Sequence, residues 1–383
     1  MPTPRKPLAP TTYLLRNVGR TVPLTLVIMM AVLLIAGIVS MIDSIPLSIR
    51  TIYRYSERSL GVSPRGDPAL TSQIRKVIEE GSPVPIERIV VCRAAGGQVE
   101  SIVGKWPFIV LGLKPDDLQY MLKEMDTTRL EGRVPKVGAP EAVISEPVAR
   151  NRGLKLGSVL LGPDLPENYS PQEVKVVGIA QTEMWLMFAD YTYEEANHFP
   201  AIDNLLVIAR SLAEQEVLDR WAIEKFKGER AQLFAFHRLE EETSDMFQIL
   251  YRILDVVIGT LVLVITMMMG MLINIYQSQR IVEFGLLQAL GYTKRQLLKR
   301  TLVETFLVLI LGWILGLAAA YGFLNIAKVV LMDPKAFALD TLDPIAYRYT
   351  IPIPLAILAV ASMTVWLRFR NFDPVTVVER RMG

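Results

Sequence analysis

The chain is poor in the residues that cross-link proteins and bind metals. Its 383 residues include one cysteine, Cys92, and two histidines, His198 and His237. A single cysteine excludes an intrachain disulfide, and two histidines exclude a histidine-rich metal centre. They also give no sign of a Ser/His/Asp or Cys/His catalytic arrangement. We therefore expect neither a metal site nor catalytic residues.

A phosphate-binding loop is also missing. No Gly-x-x-x-x-Gly-Lys-Ser/Thr motif occurs, and the run that begins at Gly104 lacks both its spacing and its hydroxyl. We therefore expect the chain to bind no cofactor directly. Energy from ATP would have to come from a separate subunit.

Charge is scarce and unevenly distributed. Charged residues make up 21% of the chain and the formal net charge is +2, which argues against a nucleic-acid binder. Residues 43–249 hold 24 basic and 31 acidic residues, whereas the rest of the chain holds 17 basic and 8 acidic. This asymmetry indicates two parts that lie in different surroundings.

Long apolar runs are what the chain does have. Hydrophobic residues make up 51% of it, and its mean hydropathy is +0.33. A helix needs about 20 mostly apolar residues to cross a bilayer core of about 30 Å. The apolar runs predict four transmembrane helices, at 22–42, 250–276, 302–323 and 351–367.

Lysine and arginine predict the orientation of these helices. Four basic residues and no acid lie in 1–21, five against one acid in 277–301 and four in 368–383, whereas 324–350 is balanced. Basic residues collect in short cytoplasmic loops, so both termini and the loop 277–301 are expected in the cytoplasm. Segment 1–21 is expected to be amphipathic and to lie along the inner surface. The prediction is a multi-pass protein of the plasma (inner) membrane with 43–249 outside the cytoplasm.

The large segment between the first two spans predicts a mixed α/β domain. A polar stretch at 240–245 then continues without proline or glycine into the second span, which predicts a helical stalk. Periodicity and breakers predict helices at 69–80, 115–125, 146–152 and 212–226 and strands at 87–93, 108–113, 141–145, 174–180 and 204–209.

The loop between the second and third spans is unusually apolar. It predicts a short amphipathic helix that ends at Gly291, a C-terminal breaker. Leu286, Leu287, Ala289 and Leu290 form a surface that could dock on a partner. The alternative is an interfacial helix that lies on membrane lipid headgroups.

Small and charged residues stand out inside the spans. Gly312, Gly316 and Ala320 predict a face that permits close helix packing. Asp255 and Glu304 are intramembrane charges near opposite ends of their spans, so we expect them not to pair with each other. Each either reaches the interface or is a buried functional charge.

The same loop resembles that of the FtsX-like permease family, the membrane subunits of MacB-type (type VII) ABC transporters. Phe284 stands where isoleucine is usual, and Gln288 where arginine is usual. The residues that match are Arg280, Glu283, Gly285, Leu287, Ala289, Leu290 and Gly291. The resemblance implies that this loop is the coupling helix, which binds in a groove of the ATPase subunit.

Other segments extend the resemblance to nearly the whole chain. Glu304, Gly312 and Gly316 match the third span of the family, and 373–379 resembles its C-terminal tail. Segments 131–157 and 174–179 resemble the MacB-type periplasmic core domain.

The resemblance implies a permease that works by mechanotransmission. Its implied partners are an ABC ATPase subunit, which carries ATP and Mg²⁺, and a second permease copy in a homodimer. MacB- or DevC-like export, with a HlyD-like adaptor and an outer-membrane channel, is the first expectation. The alternatives are a lipoprotein-extracting LolC/LolE-like subunit, or a membrane-anchored sensor or scaffold without an ATPase.

Overall fold

The computed structural model describes residues 14, 16–196 and 202–370. The expected amphipathic segment at the N-terminus and the family-like tail at 373–379 lie largely or wholly outside these residues. Two compact units are present. The membrane unit comprises residues up to 42, 249–327 and from 340 onwards, and the α/β unit comprises 43–248 and 328–339.

The α/β unit contains both helices and strands, and only helices occur in the described part of the membrane unit. In chain order they are α1 (Val18–Tyr53), β1 (Leu60–Pro64), α2 (Leu70–Gly81), β2 (Ile86–Ser101), β3 (Gly104–Leu113), α3 (Pro115–Glu124), β4 (Arg129–Gly132), β5 (Glu141–Ser145), α4 (Glu146–Arg152), β6 (Val159–Leu161), β7 (Val174–Gln181), β8 (Met187–Asp190), α5 (Tyr191–Ala196), β9 (Asn204–Ala209), α6 (Leu212–Lys225), β10 (Ala231–Phe234), α7 (Phe236–Gln279), α8 (Ile281–Ala289), α9 (Lys294–Ala327), α10 (Pro344–Tyr349) and α11 (Pro352–Arg370).

Among the described residues, four helices are long and apolar enough to cross a membrane, as predicted. They are α1, α7, α9 and the segment that ends in α11. Helix α1 shows why such a segment is apolar on every side. Its residues Ile28, Val32 and Ile35 are buried against the other helices, whereas Leu26 and Met30 are exposed on the opposite side. The exposed side is the one available to lipid.

The α/β unit is built on a mixed sheet of ten described strands. Their order is β10-β1-β9-β2-β3-β8-β5-β7-β4, with β6 paired to β7. Most neighbours are antiparallel, but β3 pairs with β8 and β5 with β7 in parallel. The predicted mixed α/β class is therefore confirmed. Helices α2 and α6 pack through Ile74, Ile78 and Leu218 on the β1–β9 part of the sheet.

A short segment after α9 belongs to the α/β unit. Lys335 forms an ion pair of 2.6 Å with Glu100. The backbone carbonyl of Lys335 accepts a hydrogen bond of 2.7 Å from the side-chain amide of the buried Asn151. Ser48 Oγ and the Ala338 backbone exchange hydrogen bonds of 3.1 and 3.2 Å. The 324–350 stretch, taken from the sequence as one loop, thus contributes to both units.

A buried carboxyl in α6 predicts a pH-dependent stability. Burial raises the pKa of Asp219 to about 6 from its ordinary value of 3.8, although Gln215 donates a hydrogen bond of 2.9 Å to it. Stability from the protonated form is complete below pH 3.8 and is lost as the pH rises through 6. Asp219→Asn is therefore expected to stabilise the α/β unit at pH 7.5, by up to about 3 kcal/mol.

Thermal unfolding of the full chain at pH 4.5 and pH 7.5 tests this expectation. The Asp219→Asn chain should melt higher than the parent at pH 7.5, and the difference should shrink at pH 4.5. The same difference at both pH values would show that Asp219 does not titrate in this range.

Candidate coupling site

The corner between α7 and α9 is formed by two backbone breaks. Helix α7 ends at Gln279, and Arg280, with φ −98° and ψ 4°, separates it from α8. At the other end the Gly291 N–H donates to the Gln288 carbonyl (2.9 Å) and the Tyr292 N–H to the Leu287 carbonyl (3.1 Å). This is a Schellman motif, and Gly291 supplies its positive φ of 96°. The predicted short helix therefore ends where glycine allows it.

Helix α9 begins with a capping box. The Gln296 N–H donates to Thr293 Oγ1 (3.3 Å), and the Thr293 N–H donates to Gln296 Oε1 (2.9 Å). Each side chain thus satisfies a backbone donor of the other residue. The turn between α8 and α9 is thus defined by local hydrogen bonds at both of its ends.

Helix α8 presents an apolar surface to solvent. Leu286 and Leu290 are 62% and 74% exposed, and Val282 and Ala289 are exposed beside them. We call these four residues the α8 face. Leu287, assigned to this surface in the sequence analysis, lies on the other side of the helix, where it is only 8% exposed.

The inner side of α8 packs on the ends of two spans. Phe284 and Leu287 contact Leu297 of α9 and Val365 of α11 in one small apolar cluster. Residues 284 and 287 are one turn apart on the helix, so they share one side. Gly285 is also buried, whereas Gln288 is partly exposed. The α8 face is therefore displayed by a helix that is anchored from behind.

Four charged residues form a network at this corner: Arg280, Glu283, Arg300 and Glu304. Arg280 Nη1 lies 2.7 Å from Glu304 Oε2, and its Nε lies 3.0 Å from Glu283 Oε2. Arg300 Nε donates to the second oxygen of Glu304, at 3.0 Å. The Arg280 guanidinium also lies over the Phe284 ring, 5.0 Å from its centroid. We call this set the charge network.

The charge network joins three parts of the chain. Side chains of Glu304 and Arg280 are only 5% and 7% exposed, yet the four charges sum to zero. Buried charges persist when they are paired and hydrogen-bonded, and here both carboxylate oxygens of Glu304 are occupied. Arg300 was not among the residues singled out in the sequence. Its signal was the spacing of four residues between Arg300 and Glu304, which places both on one side of a helix.

The remaining intramembrane charge, Asp255, lies elsewhere. It is exposed, and its Oδ1 accepts a hydrogen bond of 2.5 Å from the Tyr349 hydroxyl. Asp255 and Glu304 each have their own partners, and the structure does not bring them together.

The small residues of α9 lie against α1. A Cβ atom at Gly312 would be 2.9 Å from Ile28 Cβ, and one at Gly316 would be 2.6 Å from Val32 Cβ. Ala320, one turn further, is fully buried. The face Gly312-Gly316-Ala320 therefore permits the two helices to approach closely.

Gly316→Ala is expected to destabilise the membrane unit by about 1–3 kcal/mol, because the new methyl group would overlap Val32 and force the helices apart. Gly322→Ala is the matched control, since a Cβ atom there meets nothing within 4 Å. Thermal unfolding of both variants in detergent micelles measures the difference. Equal stability of the two variants would contradict the packing role.

Residues 256–374 match the family model of the FtsX-like permease C-terminal domain. The match contains α8 with its exposed face, all four residues of the charge network and the small residues of α9. A search of curated proteins finds no match to this chain.

Three solved structures are each similar to about half of this chain. The periplasmic region of MacB from Actinobacillus actinomycetemcomitans is 9% identical, covers 51% of this chain and 95% of its own, and has a TM-score of 0.28. The extracellular domain of the ABC-type transporter YknZ from Gram-positive bacteria is 14% identical, with 46% and 99% covered and a TM-score of 0.25. A domain of a permease protein from Porphyromonas gingivalis is 16% identical, with 47% and 91% covered and a TM-score of 0.22.

The molecule is thus a four-span membrane protein whose first two spans are separated in sequence by an α/β unit. More particularly, its residues 256–374 match the FtsX-like permease family model, which confirms the family resemblance of the coupling loop.

Proposed function

We propose that this chain is the permease subunit of an ATP-driven ABC transporter and that α8 is its coupling helix. The observation that carries this proposal is the α8 face, a cluster of exposed aliphatic side chains on a helix anchored from behind. A contiguous exposed apolar patch of this kind favours a partner surface over solvent. The partner would be an ABC ATPase subunit that binds ATP and Mg²⁺ itself.

The charge network gives the docked helix a mechanical connection. Arg280 directly follows the end of α7, Glu283 lies in α8, and Arg300 and Glu304 lie in α9, so one set of ion pairs joins the end of α7 to α8 and α9. Movement of α8 by the ATPase would therefore displace the ends of α7 and α9 together. Helix α7 continues without interruption for 44 residues from Phe236, so it can carry that displacement along its length.

The proposal also includes the membrane orientation of the chain and its transport role. The basic loop 277–301 would face the ATPase in the cytoplasm, and the acidic segment 43–249 would lie outside. Two copies of the chain would form a homodimer. We propose export with a HlyD-like adaptor and an outer-membrane channel as the role. Lipoprotein extraction by a LolC/LolE-like subunit, and a sensor or scaffold without an ATPase, are the alternatives.

Affinity purification from native membranes, in a mild detergent with mass spectrometry, tests the proposal. An ABC ATPase at an abundance comparable to that of the chain is the expected result, and an adaptor beside it would favour export. Absence of an ATPase under these conditions would overturn the coupling assignment and favour the sensor or scaffold.

A further inference from the structure

The α/β unit contains a cavity of about 440 Å³ on one face of its sheet. Gly61 and Ser63 of β1 and Leu206 of β9 line it, and they alternate with residues that pack against α2 and α6. Successive residues of a strand point to opposite faces. The cavity therefore lies on the side of the sheet away from those two helices.

An aromatic wall borders the cavity. Tyr53 and Tyr55, at and just after the end of α1, have ring centroids 6.4 Å apart, and the Tyr55 ring meets Phe108 edge-on at 5.6 Å. The Tyr53 hydroxyl donates a hydrogen bond of 2.9 Å to the Pro107 carbonyl, which fixes its ring in place. Leu239, near the start of α7, contributes a further apolar group.

The chemistry of the lining selects against charge. Aromatic, aliphatic and small residues dominate it, the polar ones are uncharged, such as Ser59, Ser63 and Asn204, and no acidic or basic side chain is among the described lining residues. An ion would lose its hydration there without a compensating partner. A hydrocarbon group would lose little and would gain contact with the rings.

The size of the cavity indicates an occupant. Pockets for small ligands typically measure about 300–1,000 Å³ and are mostly apolar with a few polar groups. This cavity has both properties. The apolar clusters beside it are closely packed by comparison, and Leu60 and Leu113 within them are fully buried.

We propose that this cavity binds the uncharged apolar part of a small molecule, such as a hydrocarbon chain or the tail of an amphiphile. The bound group would contact residues at the end of α1 and the start of α7 at once. The proposal concerns a site separate from α8 and does not rest on the assignment of an ATPase partner.

The test uses the full-length chain in lipid nanodiscs and a neutral photoreactive probe, dodecanol with a diazirine in its chain. Peptide mapping is expected to find labelled residues in 53–63 and 106–111, and excess plain dodecanol should suppress that labelling saturably. Labelling of the spans by probe dissolved in lipid serves as the internal reference. If excess plain dodecanol does not suppress labelling of the cavity peptides in the unmodified chain, the proposal is overturned.

Two phenylalanine variants sharpen the test. Ser63→Phe places a ring in the cavity and should reduce labelling of its peptides at least about fivefold relative to the spans. Gln73→Phe is the matched control, because Gln73 is exposed on α2, which packs on the opposite face of the sheet. Full labelling of a folded Ser63→Phe chain, or equal loss in Gln73→Phe, would refute the site. Ser63 is remote in sequence from α8. A Ser63→Phe chain that loses cavity labelling but still co-purifies with the ATPase would show that the cavity proposal and the coupling-helix proposal can be tested independently.

Discussion

Replacing Ala289 and Leu290 together with aspartate is expected to abolish association with the ATPase while the chain still inserts into the membrane. Both side chains are exposed, and Leu290 is among the most exposed large apolar residues of the described chain. The substitutions therefore leave the packing of Phe284 and Leu287 intact. In the complex, two carboxylates would have to lose their hydration inside an apolar contact. A weakening of binding of at least about 100-fold is expected, measured by quantitative co-purification.

The matched control is the pair Leu342→Asp and Ile345→Asp. Leu342 and Ile345 are also exposed aliphatic residues of the membrane unit, 64% and 46%, but they lie beyond α9, at the start of α10. This pair should leave ATPase co-purification unchanged. Undiminished co-purification of the Ala289/Leu290 variant would instead favour an α8 that lies on lipid headgroups.

Replacing Glu304 with alanine is expected to lower the free energy of unfolding of the membrane unit by about 3–5 kcal/mol. The change removes the Glu304 carboxylate that lies 2.7 Å from Arg280 and 3.0 Å from Arg300, and it leaves two guanidinium groups with Glu283 as the remaining carboxylate of the network. A net charge left in a buried network costs far more than the lost contacts themselves. Thermal unfolding in detergent micelles measures the loss.

Two further variants separate charge imbalance from simple loss of contacts. Arg280→Met combined with Glu304→Leu removes one charge of each sign, so it should be far less destabilising than Glu304→Ala. Glu283→Ala removes a carboxylate that is 38% exposed and should also cost less. If the Met/Leu double variant were as unstable as Glu304→Ala, the network would act through its particular hydrogen bonds and not through charge balance.

The membrane spans were predictable because an apolar run of that length identifies itself without reference to a partner. Each of the four predicted spans corresponds to a helix of the structure. Helices α1, α7 and α9, however, extend well beyond the apolar runs into polar sequence. Helical hydrogen bonds continue wherever no residue interrupts them, so hydropathy marks the bilayer-crossing part and not the ends of the helix.

The sheet was predictable only where strands are long and apolar. Strand β2 was expected to end at 93, yet it continues through Gly96 and Gly97 to Ser101, because β3 pairs with it along that whole length. Short strands such as β4 and β10, of four residues each, lie at the two edges of the sheet. Their pairing depends on partners distant in sequence, so periodicity could not reveal them.

The coupling site was partly predictable for a similar reason. The end of α8 follows from Gly291, because glycine favours the positive φ that a Schellman motif needs. The charge network was not predicted, since Arg280 and Glu304 are 24 residues apart and meet only when α7 and α9 are folded side by side. The inward direction of Leu287 likewise depends on Leu297 and Val365.

The zero sum of the charge network also constrains how this corner can change during evolution. Loss of one of its buried members leaves the network with a net charge, whereas loss of an acid and a base together does not. Acceptable routes of sequence drift therefore pass through paired replacements, at positions such as 280 and 304 that are distant in the chain. Arg280 and Glu304, the two most buried members, are therefore expected to change together, whereas the more exposed Glu283 is freer to vary alone.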